Sequence, residues 1–369
     1  MSKKILFLTL KIFSATGGIE KVCRVVGKAL YERSLSDRLS VTVMSMYDRQ
    51  EDADENNYFP SEMFRGFGKD RVRFIRTAVQ KGRVCDTVVL SHINLLLAGW
   101  LIKKISPTTR IILFAHGIEV WGRFGKRKKI MLQCCDEFLC VSNYTKQRME
   151  ADHGIVPEKC RVLNNCIDPF LPSVSANGQS ELMRKKYGFT REDKVLFTLT
   201  RLSSKDRYKG YDKVISALSP LKKKYPNIKY LVGGSYDSVE KKFVDDQIKR
   251  SSLEDTVIIP GYIPDEELAA CFNMADMYIM PSRKEGFGIV FVEAMYYGLP
   301  VIAGNADGSV DALRNGELGI LVDPDNVGEI TSAIEKILTR QKTFMHDREL
   351  LLKYFGYENY KVKLEELLN

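Results

Sequence analysis

The chain has no Cys-x-x-Cys pair and no cysteine and histidine set at zinc-site spacing, which excludes the small metal-stapled folds. Its eight cysteines (Cys23, Cys85, Cys134, Cys135, Cys140, Cys160, Cys166 and Cys271) and four histidines (His92, His116, His153 and His346) are scattered, so no metal centre and no cofactor are expected. No apolar run approaches the ~20 residues of a membrane-spanning helix; residues 95–102 form one of the longest. The apolar run at residues 5–9 is too short for a signal-peptide core, and no small-residue cleavage site follows it. Reduced thiols and a cytoplasmic location are therefore expected. Low-complexity tracts and repeats are absent, which argues against a largely disordered chain.

What is present is enough apolar material for two cores. The chain has 369 residues, 44% hydrophobic and 28% charged. That length exceeds one compact core and fits two domains. The net charge of +9 is unevenly spread: residues 1–150 carry 26 Lys and Arg against 15 Asp and Glu, whereas 151–369 carry 30 against 32. A basic N-terminal half suits nucleic acid, an anionic lipid surface or a phosphorylated partner, and charge alone does not choose.

Short apolar runs alternate with helical stretches. Residues 5–9, 41–45, 88–92, 111–115 and 138–141 read as strands, and a second series follows a polar stretch at 173–192, with strands at 195–200, 229–232, 257–259, 277–280 and 301–302. Such alternation predicts α/β architecture: two Rossmann-like, doubly wound lobes, each a parallel sheet covered on both faces. The boundary is expected near residue 180, giving lobes 1–180 and 181–349, with residues 350–369 a helix packing back onto the first. Ligands bind at the carboxyl ends of such sheets, so an interlobe cleft is the expected site.

The most specific motif runs from Met280 to Ala294, with Pro281, Glu285, Gly286, Phe287, Gly288, Ile289 and Glu293 in between. A strand ends at Pro281, glycines then bring backbone N–H groups close to a ligand, and a helix N-terminus adds positive potential: a seat for a diphosphate. Glu285 would stand on the sugar side, and Glu293 where a carboxylate can grip a ribose diol. Gly17 and Gly18 open a helix after the first strand and offer amides to an oxyanion.

Residues 285–293 resemble the E-x7-E motif of the family-four retaining glycosyltransferases of GT-B fold, and further landmarks follow in order along essentially the whole chain. Gly17 and Gly18 match that family's N-terminal diglycine loop. Thr200-Arg201-Leu202 and Tyr208-Lys209-Gly210 are similar to its strand-end arginine and later lysine, which implies that Arg201 and Lys209 neutralise the leaving diphosphate. The stretch between them is longer than usual, so Lys205 or Arg207 could share the role of Lys209. His116, after a strand and before Gly117, resembles the family's histidine near the reacting sugar. Gly261 and Tyr262 resemble the loop that frames the nucleotide base through its backbone. The resemblance implies catalytic residues His116, Arg201, Lys209 and Glu285, and donor contacts at Gly17, Gly18, Gly261, Tyr262, Gly286, Phe287, Gly288, Ile289 and Glu293. It further implies hexosyl transfer with retention from a UDP- or GDP-linked sugar onto a glycan or lipid-linked acceptor, in cell-surface polysaccharide or glycolipid synthesis.

Two Asp-x-Asp triplets, Asp52 with Asp54 and Asp323 with Asp325, lie where nothing fixes a metal geometry, and cations and a helix N-terminus make a metal unnecessary. Residues 121–132, from Trp121 to Leu132, and residues 64–83 mix aromatics with basic residues and could rest on an anionic leaflet as a peripheral membrane contact. A nucleic-acid-binding protein is disfavoured by the lack of a recognisable motif, and a nicotinamide oxidoreductase by the lack of G-x-G-x-x-G after the first strand. A nucleotide-sugar epimerase or hydrolase of the same fold is the nearest alternative.

Overall fold

The computed structural model describes residues 3–36, 39–172, 179–340 and 348–369. His346 and residues 173–178 of the polar stretch lie outside them. The chain divides into two compact units, Met1–Phe170 with Phe355–Asn369, and Leu171–Tyr354. The division thus falls at Phe170 rather than near residue 180, so the helix Gln179–Lys186 belongs wholly to the second unit.

The first unit is built on seven parallel strands: β1 (Lys3–Thr9), β2 (Leu39–Ser45), β3 (Phe64–Gly66), β4 (Thr87–Leu90), β5 (Arg110–Ala115), β6 (Glu137–Cys140) and β7 (Cys160–Val162). Their order across the sheet is β3-β2-β1-β4-β5-β6-β7. The central strands are buried on both faces, which is why β1 and β4 read as unbroken apolar runs without alternation. β3 and β7 escaped the sequence reading because each is a three-residue edge strand with no run to betray it.

The second unit carries six parallel strands: β8 (Lys194–Leu199), β9 (Ile228–Gly233), β10 (Val257–Gly261), β11 (Met277–Met280), β12 (Val301–Gly304) and β13 (Ile320–Val322). Their order is β10-β9-β8-β11-β12-β13. Pro260, which has no N–H for the ladder, sits on the edge strand β10, where the register slips between Ile258 and Gly261. In both sheets the strand order reverses beside the first strand, between β1 and β4 and between β8 and β11. Such reversals open the crevice where doubly wound folds take ligands.

The C-terminal segment is two helices rather than one, Arg348–Phe355 and Tyr357–Leu368, broken at Gly356. The second lies on the helix Gly18–Ser36: the Lys3 ammonium donates to Leu368 O (2.8 Å), Arg110 to Leu367 O (2.8 Å), and the Tyr357 hydroxyl to Glu32 (2.9 Å).

The aromatics of the two proposed membrane stretches face inward. Phe64, Phe67 and Phe74 are buried. Trp121 packs on the core of the first unit and meets Tyr144 edge-on, and Phe124 stacks on His153 with ring centroids 4.2 Å apart. What those stretches expose is Val72 and Ile130 among basic side chains.

Candidate functional site

In the second unit the loops leaving β8 and β11 are stitched together at the reversal of the sheet. Arg283 N–H donates to Tyr208 O (2.8 Å), and the Lys209 ammonium pairs with the Glu285 carboxylate, both side chains mostly buried. Gly210, at φ 80°, lies so close to Pro281 that a Cβ would overlap the Pro281 carbonyl oxygen. Two distant stretches of sequence therefore present one cation and one carboxylate side by side at the carboxyl ends of adjacent strands.

Arg201, by contrast, is 70% exposed and held from one side, its Nε on Asp206 at 2.7 Å. Asp206 is buried and takes the Tyr208 hydroxyl on its other oxygen (2.7 Å), so it orients an exposed guanidinium and an aromatic ring at once. Arg207 is tied on one side: its Nε donates to the buried Glu240, which also accepts from the Tyr211 hydroxyl (2.7 Å), and its guanidinium lies over the Phe243 ring at 3.7 Å. A fully desolvated carboxylate demands such partners, so Glu240 anchors the loop that delivers Lys209. The sequence could not reveal Glu240, which lies a helix, a strand and the first turn of a second helix downstream. Lys205 is exposed and enters no ion pair described here.

After Glu285 the chain turns through Gly286, Phe287 and Gly288. Gly288 sits at φ 84° as the N-cap of the helix Ile289–Tyr296. Phe287 is buried, so only its backbone is offered to a ligand, and Glu293 is 3% exposed. The backbone of Glu285 is gripped by the turn after β12, where Asp307 accepts its N–H (2.7 Å) and Gly308 N–H donates to its carbonyl (2.8 Å). At the end of β9, Gly234 N–H donates to Gly261 O (2.8 Å); the exposed Tyr236 lies beside Gly261, and beyond it Tyr262 is 61% exposed.

In the first unit Gly17 and Gly18 are exposed at the start of the helix Gly18–Ser36. The loop before them is shaped by Asp48, a buried carboxylate that accepts from Ile12 N–H (2.6 Å), Ser14 N–H (2.9 Å) and the Ser45 hydroxyl (2.6 Å). His116 follows β5. Its Nε2 lies 2.8 Å from Ser91 O, so that nitrogen carries the proton, and burial pulls the imidazole pKa down to about 4. His116 is thus a neutral imidazole at physiological pH. Burial lowers His92 in the same way, to about 4, and raises the neighbouring Glu119, whose carboxylate accepts from His116 N–H (2.6 Å).

The Asp-x-Asp pairs are engaged locally: Asp52 accepts from Arg49 N–H (2.8 Å), Asp323 from Asp325 N–H (2.9 Å), and Asp325 pairs with Arg283 (2.7 Å). Among the described residues no three His, Cys, Asp or Glu side chains stand together as a metal set, and none of the eight cysteines is bridged.

Comparison with known proteins agrees with this architecture. The model for glycosyltransferase family 4 matches residues 16–170, and that for glycosyl transferases group 1 matches residues 179–351. A GDP-mannose-dependent α-(1-6)-phosphatidylinositol monomannoside mannosyltransferase of Mycolicibacterium smegmatis is 30% identical over 258 residues, covering 66% of this chain and 64% of that protein. Mannosylfructose-phosphate synthase of Agrobacterium fabrum is 28% identical over 72% of this chain and 58% of its own length. The matched region thus spans less than two thirds of either relative. A glycosyltransferase of Haemophilus influenzae is 25% identical over 95% of both chains. Among solved structures, HepE of Anabaena in complex with UDP and glucose superimposes with a TM-score of 0.80 at 21% identity, covering 99% of both chains, a likeness of fold. Matched along both halves, the chain belongs to glycosyltransferase family four, the glycosyl transferases group 1, with the two-lobed GT-B fold.

Proposed function

We propose that the protein transfers a hexose-type sugar, with retention of anomeric configuration, from a UDP- or GDP-linked donor to a glycan or lipid-linked acceptor. The observation that carries this reading is the joined Lys209 and Glu285 at the reversal between β8 and β11. As the bond between the anomeric carbon and the diphosphate oxygen breaks, negative charge grows on the leaving group. Lys209 and Arg201 stabilise it together with the amides of residues 286–289. Glu285, relieved of Lys209 by the diphosphate, turns to the sugar hydroxyls, and Glu293 to the ribose. The acceptor hydroxyl attacks on the face the diphosphate leaves, and its proton passes to a leaving phosphate oxygen. No divalent cation is required. His116, neutral, hydrogen-bonds a sugar hydroxyl, and the amides at Gly17 and Gly18 serve an oxyanion. Tyr262 and the Gly261 backbone frame the base.

Relatives and structural neighbours that use GDP-mannose or bind UDP support the donor class, and the lipid-linked acceptor of one supports work in glycolipid or cell-surface polysaccharide assembly. The test is a thermal-shift screen of UDP- and GDP-sugars followed by transfer assays with and without a chelator. NMR of the product reads the anomeric configuration: inversion refutes the mechanism. Sugar released to water or epimerised, and never found on an added acceptor, refutes the transferase reading in favour of a hydrolase or epimerase.

We also propose that the first unit rests on an anionic membrane surface. The helices Arg71–Gly82 and Lys126–Leu132 contain four basic residues each and no acidic one. Val72 and Leu97 border an apolar groove flanked by Arg71 and Arg76, and Ile130 is exposed among lysines. Each Lys or Arg near an anionic leaflet contributes about 1 kcal/mol. No helix of the described residues is long and apolar enough to cross a membrane. Failure to co-sediment with phosphatidylserine vesicles at moderate salt refutes the surface contact.

A further inference from the structure

We propose that Asp307 is a positioning residue for the transfer, its carboxylate fixing the backbone from which the Glu285 side chain leaves Lys209 and meets the donor. The inference rests on the donor-site reading above. Asp307 follows β12, the strand beside β11, and is 1% exposed. Its two oxygens divide their work: Oδ1 accepts Ser309 N–H (2.9 Å), closing its own turn, and Oδ2 accepts Glu285 N–H (2.7 Å) on the neighbouring loop. Gly308 completes the grip through its N–H on Glu285 O (2.8 Å). It approaches so closely that a Cβ there would overlap Gly286 O. Both backbone polar groups of Glu285 are therefore held by one turn.

Closing a surface turn needs only one oxygen, and an exposed serine or asparagine would serve. Here a carboxylate has instead been withdrawn from water, at a cost visible in its pKa, which burial pushes up to about 6. The second oxygen, aimed at Glu285, is what that burial secures. A side chain that must meet transition-state charge has to be held to within about half an ångström, and rigid supports from neighbouring elements do this.

The test compares Asp307→Asn, Glu285→Gln and the double variant, reading nucleoside diphosphate released from UDP-glucose or GDP-mannose, the dissociation constant for UDP or GDP, and the melting temperature. Asparagine can accept at one amide but presents its own N–H₂ to the other. The expected result for Asp307→Asn is a kcat reduced about tenfold or more with nucleotide affinity changed less than about threefold. The double variant should be no slower than Glu285→Gln alone, because a misplaced glutamine has nothing further to lose. Should Asp307→Asn not fold, Asp307→Ser, which can cap Ser309 but is too short to span both amides, is expected to show the same kcat-specific loss. A wild-type kcat in the folded Asp307 variant beside an impaired Glu285→Gln overturns the positioning role, as do losses that multiply in the double variant. A wild-type rate in Glu285→Gln itself overturns the donor-site reading and this inference with it.

Discussion

Lys209 and Glu285 neutralise each other, and an ion pair of this kind is a resting arrangement that a diphosphate can break. Replacing either by alanine leaves the other charge mostly buried without its partner, so a modest loss of stability accompanies a larger effect on turnover. Lys209→Ala or Glu285→Ala should lower kcat by about 10²-fold or more in a protein that still folds; wild-type turnover in both removes the site. His116 makes a prediction of opposite kind. Its folded pKa, about 4, lies below the ~6.5 of an unfolded histidine, so its contribution to stability is complete above pH 6.5 and is lost as pH falls towards 4. At pH 5 that loss amounts to about 2 kcal/mol. Thermal melts of the wild type and of His116→Gln at pH 7.5 and 5 should show a shallower acid decline in the variant, and an equal decline would refute the neutral buried imidazole.

At the level of elements, loops rather than strands carry the candidate site, but each loop is braced by a neighbour. The loop of residues 203–210 is tied to the helix Ser238–Arg250 through Arg207 and Glu240, and to the loop after β11 through Tyr208, Lys209 and Gly210. Gly210 is the pivot, being both left-handed and in contact with Pro281. Gly210→Ala should therefore cost about 1–3 kcal/mol in urea unfolding and lower donor turnover as well. Gly125→Ala, at φ −66° with open space around it, should change stability by less than about 0.5 kcal/mol. Equal behaviour of the two would show that the loop tolerates displacement and that Lys209 needs no such brace.

At the level of the whole molecule, the chain leaves its first unit at Phe170 and returns to it at Phe355. The returning helix Tyr357–Leu368 satisfies groups on β1, β5 and the helix Gly18–Ser36, and buries Tyr357, Tyr360, Leu364 and Leu368. Ending the chain before Phe355 would expose that apolar surface, and the first unit should lose its cooperative melt or aggregate, as read by circular dichroism and light scattering. Residues 171–354, which form a unit with a core of their own, should fold alone and be stabilised by UDP or GDP in a thermal-shift assay. A first unit that melts unchanged without its last helix would contradict this account.

Through its resemblance to the family the sequence named Lys209 and Glu285 as candidates, and by itself it determined the α/β class, two doubly wound sheets, ten of the thirteen described strands to within a residue or two, and the glycine turn. These follow from local rules: buried parallel strands must be apolar throughout, and a tight backbone approach must be glycine. Only the tertiary structure decided what depends on residues far apart in the chain. The edge strands β3 and β7 exist because β2 and β6 offer them a ladder, and Trp121 and Phe124 turned inward because a core and His153 were there to receive them. Arg207 acquired Glu240 as its partner, and Glu285 a brace from Asp307. A buried charge is satisfied by whichever partner the fold brings within about 3 Å, and no spacing along the chain records that meeting.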